Sequence, residues 1–148
     1  MSVSGVVVGD RCERTVTIDL DSIKTFATTY GDENPLHHDE AYAKKTRFGS
    51  IIACGPHYQS LLFSLAATHF SRRTSMVGME FTIRFLAAVK AGTTVRLAWQ
   101  VTEVVAKPSL NGDIVTAEGE VVDTSNGTVA MRATGKMLVM PAPTFKEI

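Results

Sequence analysis

Cys54 to Phe70 reads CGPHYQSLLFSLAATHF. Its Gly-Pro start is a ready helix entry, since proline pre-sets φ and lacks an N–H that the first turn leaves unpaired anyway. Pro56 is therefore expected at the first helical position. Tyr58, Leu61, Leu62, Leu65 and Ala66 follow at intervals of three and four, while Phe63 and Phe70 carry the apolar surface further round. A helix that is apolar on more than one side is wrapped, not merely laid on a surface.

The rest of the chain supplies the wrapping. Met76–Phe85, Thr94–Val105, Ile114–Val122 and Thr128–Val139 read as strands, and the second sets Val95, Leu97, Trp99 and Val101 on one face at period two. Ala91-Gly92, Asn111-Gly112-Asp113 and Ser125-Asn126-Gly127 are turn signals between them. Upstream, Thr15–Ile18 is β-prone. Asp19 or Asp21 can cap a helix bearing Ile23, Phe26, Ala27 and Tyr30, with Gly31 as its stop. Asp39 can cap a short helix through Ala43, and Lys44-Lys45 suit its C-terminus. The expected class is α+β, an antiparallel sheet curling over one apolar helix. A single domain is expected over residues 1–148, with its core at about 5–139 and a loose tail at 141–148.

Composition narrows the function classes. The chain has 148 residues, 45% hydrophobic and 20% charged, with 15 Lys+Arg against 15 Asp+Glu. Zero net charge gives no drive toward nucleic acid or an anionic membrane. The short basic clusters, Lys44-Lys45 with Arg47 and Arg72-Arg73, read as solvated surface or as docking points for substrate phosphates. Cys12 and Cys54 form neither metal-ligand spacing nor a disulfide framework, which fits a cytoplasmic setting. The apolar patch Val6–Val8 is too short for a signal peptide, and no stretch is long enough to span a bilayer.

Tyr30 to Asp39, YGDENPLHHD, is where chemistry concentrates. Pro35 disfavours helix at Asn34 and stiffens a loop that carries Asp32 and His37. A carboxylate and an imidazole held toward one point can grip a water and move its proton, with no metal and no covalent nucleophile. Asn34 can orient its neighbours through its amide. A polar capped turn uses the same residue types, and on spacing alone both readings stay open.

YGDENPLHHDEAYA resembles the signature of the MaoC-like dehydratases and (R)-specific enoyl-CoA hydratases. Gly31, Asp32, Asn34, Pro35, Leu36 and His37 fit it, with Ala43 at the later small position. RFGSIIACG and MEFTIRFLAAVKAGTTVRLAWQVTEV resemble the segments that flank the family's central helix, so the likeness runs from about Gly5 to Val139. It implies a hot-dog fold and reversible syn hydration of a trans-2-enoyl thioester to the (R)-3-hydroxyacyl thioester. It implies that Asp32 and His37 hold the water, that the Gly55 N–H binds the thioester oxygen, and that Asn34 supports the loop. It further implies a homodimer, and a coenzyme A or acyl carrier protein thioester as substrate. No bound cofactor is expected beyond the coenzyme A of the substrate, and no metal.

This chain departs from the family at the helix entry, where Cys54-Gly55-Pro56 replaces His-Gly-Met, and at Phe85–Val89, which lacks the usual proline. Cys54 reads as a small buried residue, since no triad pattern surrounds it. His57, in the first helical turn, is a candidate pocket residue; His38 is expected to face away from His37, and His69 to be structural. A hot-dog thioesterase and a non-catalytic acyl-thioester-binding subunit are the rival readings. The intact Asp32–His37 pattern argues against both.

Overall fold

The computed structural model describes residues 2–143. Strand β1 (Arg11–Ile18) leads into α1 (Leu20–Thr29), a 3-10 turn at Pro35–His37, α2 (Glu40–Lys44) and the 17-residue α3 (Gly55–Ser71). Strands β2 (Thr74–Phe85), β3 (Thr93–Lys107), β4 (Gly112–Asp123) and β5 (Val129–Pro141) follow. All pair antiparallel in one sheet of order β1-β3-β4-β5-β2. Five strands wrap the helix, not four: β1 begins at Arg11 and pairs with β3 across to Gln100. The β-prone stretch Thr15–Ile18 is its second half, and its charged, largely exposed first half lacks apolar alternation. Proline ends β5, so the expected tail starts at the last strand residue, and 144–148 lie outside the described residues.

Helix α3 buries Tyr58, Leu62, Leu65, Ala66 and Phe70 against the sheet. Phe63 stacks on Phe81 of β2 at 4.2 Å between centroids, so contact extends round a second side of the helix, as the sequence implied. Trp99 donates its Nε1–H to the Leu62 carbonyl at 2.7 Å, which ties β3 to the middle of the helix. That indole needs room on β4: a Cβ at Gly119 would sit 2.8 Å from its ring. Helix α3 starts at Gly55, one residue before the expected position, with Pro56 behind it in the first turn. Among the described residues no helix is long and apolar enough to cross a membrane.

The two outer strands differ. Beyond β1, the N-terminal segment folds back to β3, where Gly9 N–H donates to the Val101 carbonyl at 2.8 Å. Strand β2 is the other edge. It exposes Val77 and Met79, and Phe85 and Leu86 at its end are about half exposed. Met79 sits at a bulge in the ladder between Gly78 and Glu80.

Candidate active site

Helix α1 delivers the loop. Asp19 caps it by accepting the Ser22 N–H at 2.8 Å, and Gly31 ends it at φ 75°, a left-handed value that suits glycine. Asp32 is then fixed from several sides. Its N–H donates to the Ala27 carbonyl at 2.8 Å, and its own carbonyl lies 2.6 Å from His38 Nε2. Its Oδ1 accepts the Asn34 N–H at 3.0 Å. That leaves Oδ2, which points to His37 Nε2 at 3.5 Å.

The tautomer of His37 follows from its other nitrogen. Nδ1 lies 2.7 Å from the Ile52 carbonyl, which can only accept, so Nδ1 carries a proton. In the neutral ring Nε2 then holds a lone pair aimed toward Asp32. The carboxylate and this lone pair are both acceptors, which makes the site a receiver of protons. His37 is buried, at 7% side-chain exposure, whereas Asp32 is open at 37%. The imidazole is thus shielded, and the carboxylate is the more open of the two groups. Asn34 works through its side chain: Oδ1 accepts the Leu36 N–H at 3.1 Å and caps the turn that carries His37.

The same loop grips the entry to α3. Ile52 N–H donates to the Leu36 carbonyl at 3.2 Å, and Ala53 N–H to the Val89 carbonyl at 2.8 Å. Cys54 is the N-cap residue of α3 and is buried. Burial pushes its thiol up, and the nearby Asp32 charge adds in the same direction, so it stays a neutral thiol. Tyr58, one turn on, is pushed up to about 12 by burial and remains a phenol. Gly55 N–H is among the first-turn donors that α3 itself cannot satisfy. The glycine has a packing reason too: a Cβ there would lie 2.7 Å from Cε1 and Cζ of Phe85.

Asp32, His37 and Asn34 are therefore brought together in one loop, and His37 ties that loop to Ile52, with Cys54 and Gly55 two and three residues further along the chain. His57 turns elsewhere. Its ring stacks on Phe26 of α1 at 4.8 Å and 9°, and burial pushes its pKa down, against a smaller opposing pull from Asp19. Its Nδ1 is buried without a hydrogen-bond partner among the described residues. His38 has its Nε2 on the Asp32 carbonyl and braces that backbone. A cavity of about 400 Å³ adjoins the loop, lined in part by Asp32, Gly31 and His38.

The MaoC like domain, as a family model, matches residues 6–126. The chain belongs to the MaoC-like dehydratase family. Over 88 residues, 60% of this MaoC-like chain, it is 31% identical to a 3-hydroxybutyryl-CoA dehydratase of Methylorubrum extorquens. The match takes in 55% of that relative, so the chain spans about half its length. The structure superposes on the MaoC-like dehydratase of Rhodospirillum rubrum with a TM-score of 0.82 at 23% identity, covering 97% of this chain and 99% of the other. It superposes on an R-hydratase of Pseudomonas aeruginosa with a TM-score of 0.81 at 24% identity, covering 99% and 92%. At those identities the likeness establishes the fold, a hot-dog in which the sheet wraps α3.

Proposed function

We propose that this protein hydrates trans-2-enoyl thioesters reversibly to (R)-3-hydroxyacyl thioesters, with coenzyme A or an acyl carrier protein as the carrier. The observation that carries the reading is the convergence of Asp32 Oδ2 and a lone-pair-bearing His37 Nε2, 3.5 Å apart. One water can donate a hydrogen bond to each. As one proton is taken, the water oxygen bonds to C3 of the enoyl group, and the C2–C3 π electrons move toward the thioester oxygen. The proton then returns to C2 on the same face. The water's hydroxyl ends on C3 and its other hydrogen on C2, and the pair is restored for the next turnover.

The enolate oxygen that forms needs a donor. Gly55 N–H is assigned this role, because it opens a helix whose dipole favours negative charge at that end. Asn34 and His38 are positioning residues that act through the loop. Cys54 and Tyr58 wall the site as neutral groups, and His57 holds α1 against α3. No step in this scheme calls for a metal or a bound cofactor.

A homodimer completes the reading. Strand β2 presents a 12-residue edge with apolar side chains, and such an edge is a template for another strand. Pairing with β2 of a second copy would cover Phe85, whose ring lies over Gly55.

Incubation with crotonyl-CoA tests the chemistry. Loss of the enoyl absorbance without free thiol, yielding the (R)-3-hydroxy product, is the expected result. Release of free thiol would make the protein a thioesterase. An intact thioester that binds without reacting would make it an accessory subunit.

A further inference from the structure

The far end of α3 carries a pair of basic side chains. Arg72 and Arg73 follow directly on the helix, both exposed, and among the described residues no carboxylate lies within ion-pair distance of either. With His69, Ser4 and Thr74 they line a cavity of about 360 Å³. Asp10 also borders it and brings a carboxylate, but that group accepts the Val7 N–H at 3.0 Å and pairs with neither arginine, so the lining keeps two positive side chains against one negative. Two guanidinium groups beside a hollow of that size suit phosphate, which arginine can bind through paired N–H donors.

Within one protomer this cavity is remote from Asp32 and His37. A helix of 17 residues separates its lining from Gly55, roughly 25 Å at 1.5 Å per residue. The dimer changes the distance. Along β2 the positions facing α3 are Thr74, Met76 and Gly78, then Phe81, Ile83 and Phe85 after the Met79 bulge. Thr74 Oγ1 donates to the Phe70 carbonyl, Met76 and Ile83 pack on the core, and Phe81 and Phe85 border Gly78 and Gly55.

Antiparallel strands set opposed residues on the same face. Overlap of two β2 strands along their whole length pairs Thr74 with Phe85, Met76 with Ile83 and Gly78 with Phe81, and the two-fold passes through the Met79–Glu80 bulge. Each of these pairs joins two helix-facing positions. A slip of one residue would set each against a solvent-facing position. In this register Thr74, which lines the cavity, lies one strand spacing, about 4.8 Å, from the partner strand's position 85.

We infer that Arg72 and Arg73 of one protomer bind the phosphates of the carrier whose acyl group reacts at Asp32 and His37 of the other protomer. This rests on the hydratase reading and the β2 dimer. The group recognised is the phosphate that coenzyme A and a carrier-bound phosphopantetheine share.

The test compares crotonyl thioesters of coenzyme A, phosphopantetheine and pantetheine, which carry three, one and no phosphates. In Arg72→Gln/Arg73→Gln we expect KM to rise at least tenfold for the coenzyme A thioester and less than twofold for the pantetheine thioester, at unchanged kcat. An intermediate rise for phosphopantetheine is expected if a single phosphate is read. Equal KM changes on all three would overturn the inference and leave the hydratase reading intact. Calorimetric binding of coenzyme A to the parent and the variant reads the same site without turnover. Arginine-dependent binding without any hydration would refute the hydratase reading alone, and binding indifferent to Arg72 and Arg73 would refute the inference.

Mixed dimers assign the protomer. Asp32→Asn keeps the arginines, and Arg72→Gln/Arg73→Gln keeps the catalytic pair. Their mixture should regain a component with the parent KM, because one site then has both. A KM that stays at the double variant's value would place the arginines with their own protomer's site, against the proposal. Single substitutions, Arg72→Gln and Arg73→Gln, serve if the double variant fails to fold.

Discussion

Replacing Gly55 by alanine sets a methyl carbon 2.7 Å from both Cε1 and Cζ of Phe85, and 3.3 Å from Cδ1. Carbon atoms rest at about 3.5–4.0 Å, so the ring must retreat by roughly 1 Å. Overpacking on that scale costs roughly 1–3 kcal/mol. Phe85 ends its strand and is 51% exposed, which gives the ring somewhere to go and sets the expectation near about 1 kcal/mol. For a chain of this size that is a fall in Tm of roughly 2–4 °C. Phe85→Leu removes the clashing ring atoms, so Gly55→Ala in that background should cost much less. The assay is thermal unfolding of the parent, the two single variants and the double. Equal losses from Gly55→Ala with and without Phe85 would show that this ring does not demand the glycine. Turnover of the same four proteins separates packing from chemistry. If the thioester also needs a bare Cα, kcat stays low in the double variant although its Tm recovers.

Asp113 is fully buried, and burial alone would raise its pKa; hydrogen bonds from Ser4, Ser2 and Val3 outweigh that and hold it below 3.8. Its stabilising contribution is therefore present above the unfolded value and lost as pH falls through the lower folded value. Asp113→Asn should cost about 2 kcal/mol at pH 7, and the difference in Tm from the parent should shrink as pH is lowered below 4; a difference independent of pH would refute the assignment. Asn34→Ala should cost about 1 kcal/mol in unfolding, as loss of a cap does, and lower kcat; Asn34→Asp keeps the acceptor for Leu36 N–H and should recover the stability.

The parts of this structure that repeat were legible in the sequence. Alternation of Val95, Leu97, Trp99 and Val101 marked β3, and the three-four spacing of Tyr58, Leu62 and Leu65 marked α3, because burial on one face imposes those periods. Asp32, Asn34 and His37 share one stiff loop, but their spacing alone fits a capped turn equally well, and it is the family resemblance that singles them out. Contacts between distant segments left no such trace. Asp113 reads as an ordinary turn residue after Asn111-Gly112, yet it anchors Ser4, which is 109 positions away. The Phe85 ring over Gly55 and the His38 brace on Asp32 likewise depend on how strands and loops meet, and the residue types alone do not announce them. His57 was close in sequence to the site, but the approach of α1 turned its ring onto Phe26.

The central claim is that Asp32 and His37 act on one water as a unit. Hydration of crotonyl-CoA by the parent, Asp32→Asn, His37→Gln and the double variant tests it most directly, once each protein is shown to fold. Each single substitution should lower kcat by roughly a hundred- to ten-thousand-fold. The double variant should fall little further than the worse single, because either loss already disables the pair. Losses that multiply in the double variant, or a single variant that hydrates at the parent rate, would contradict the account.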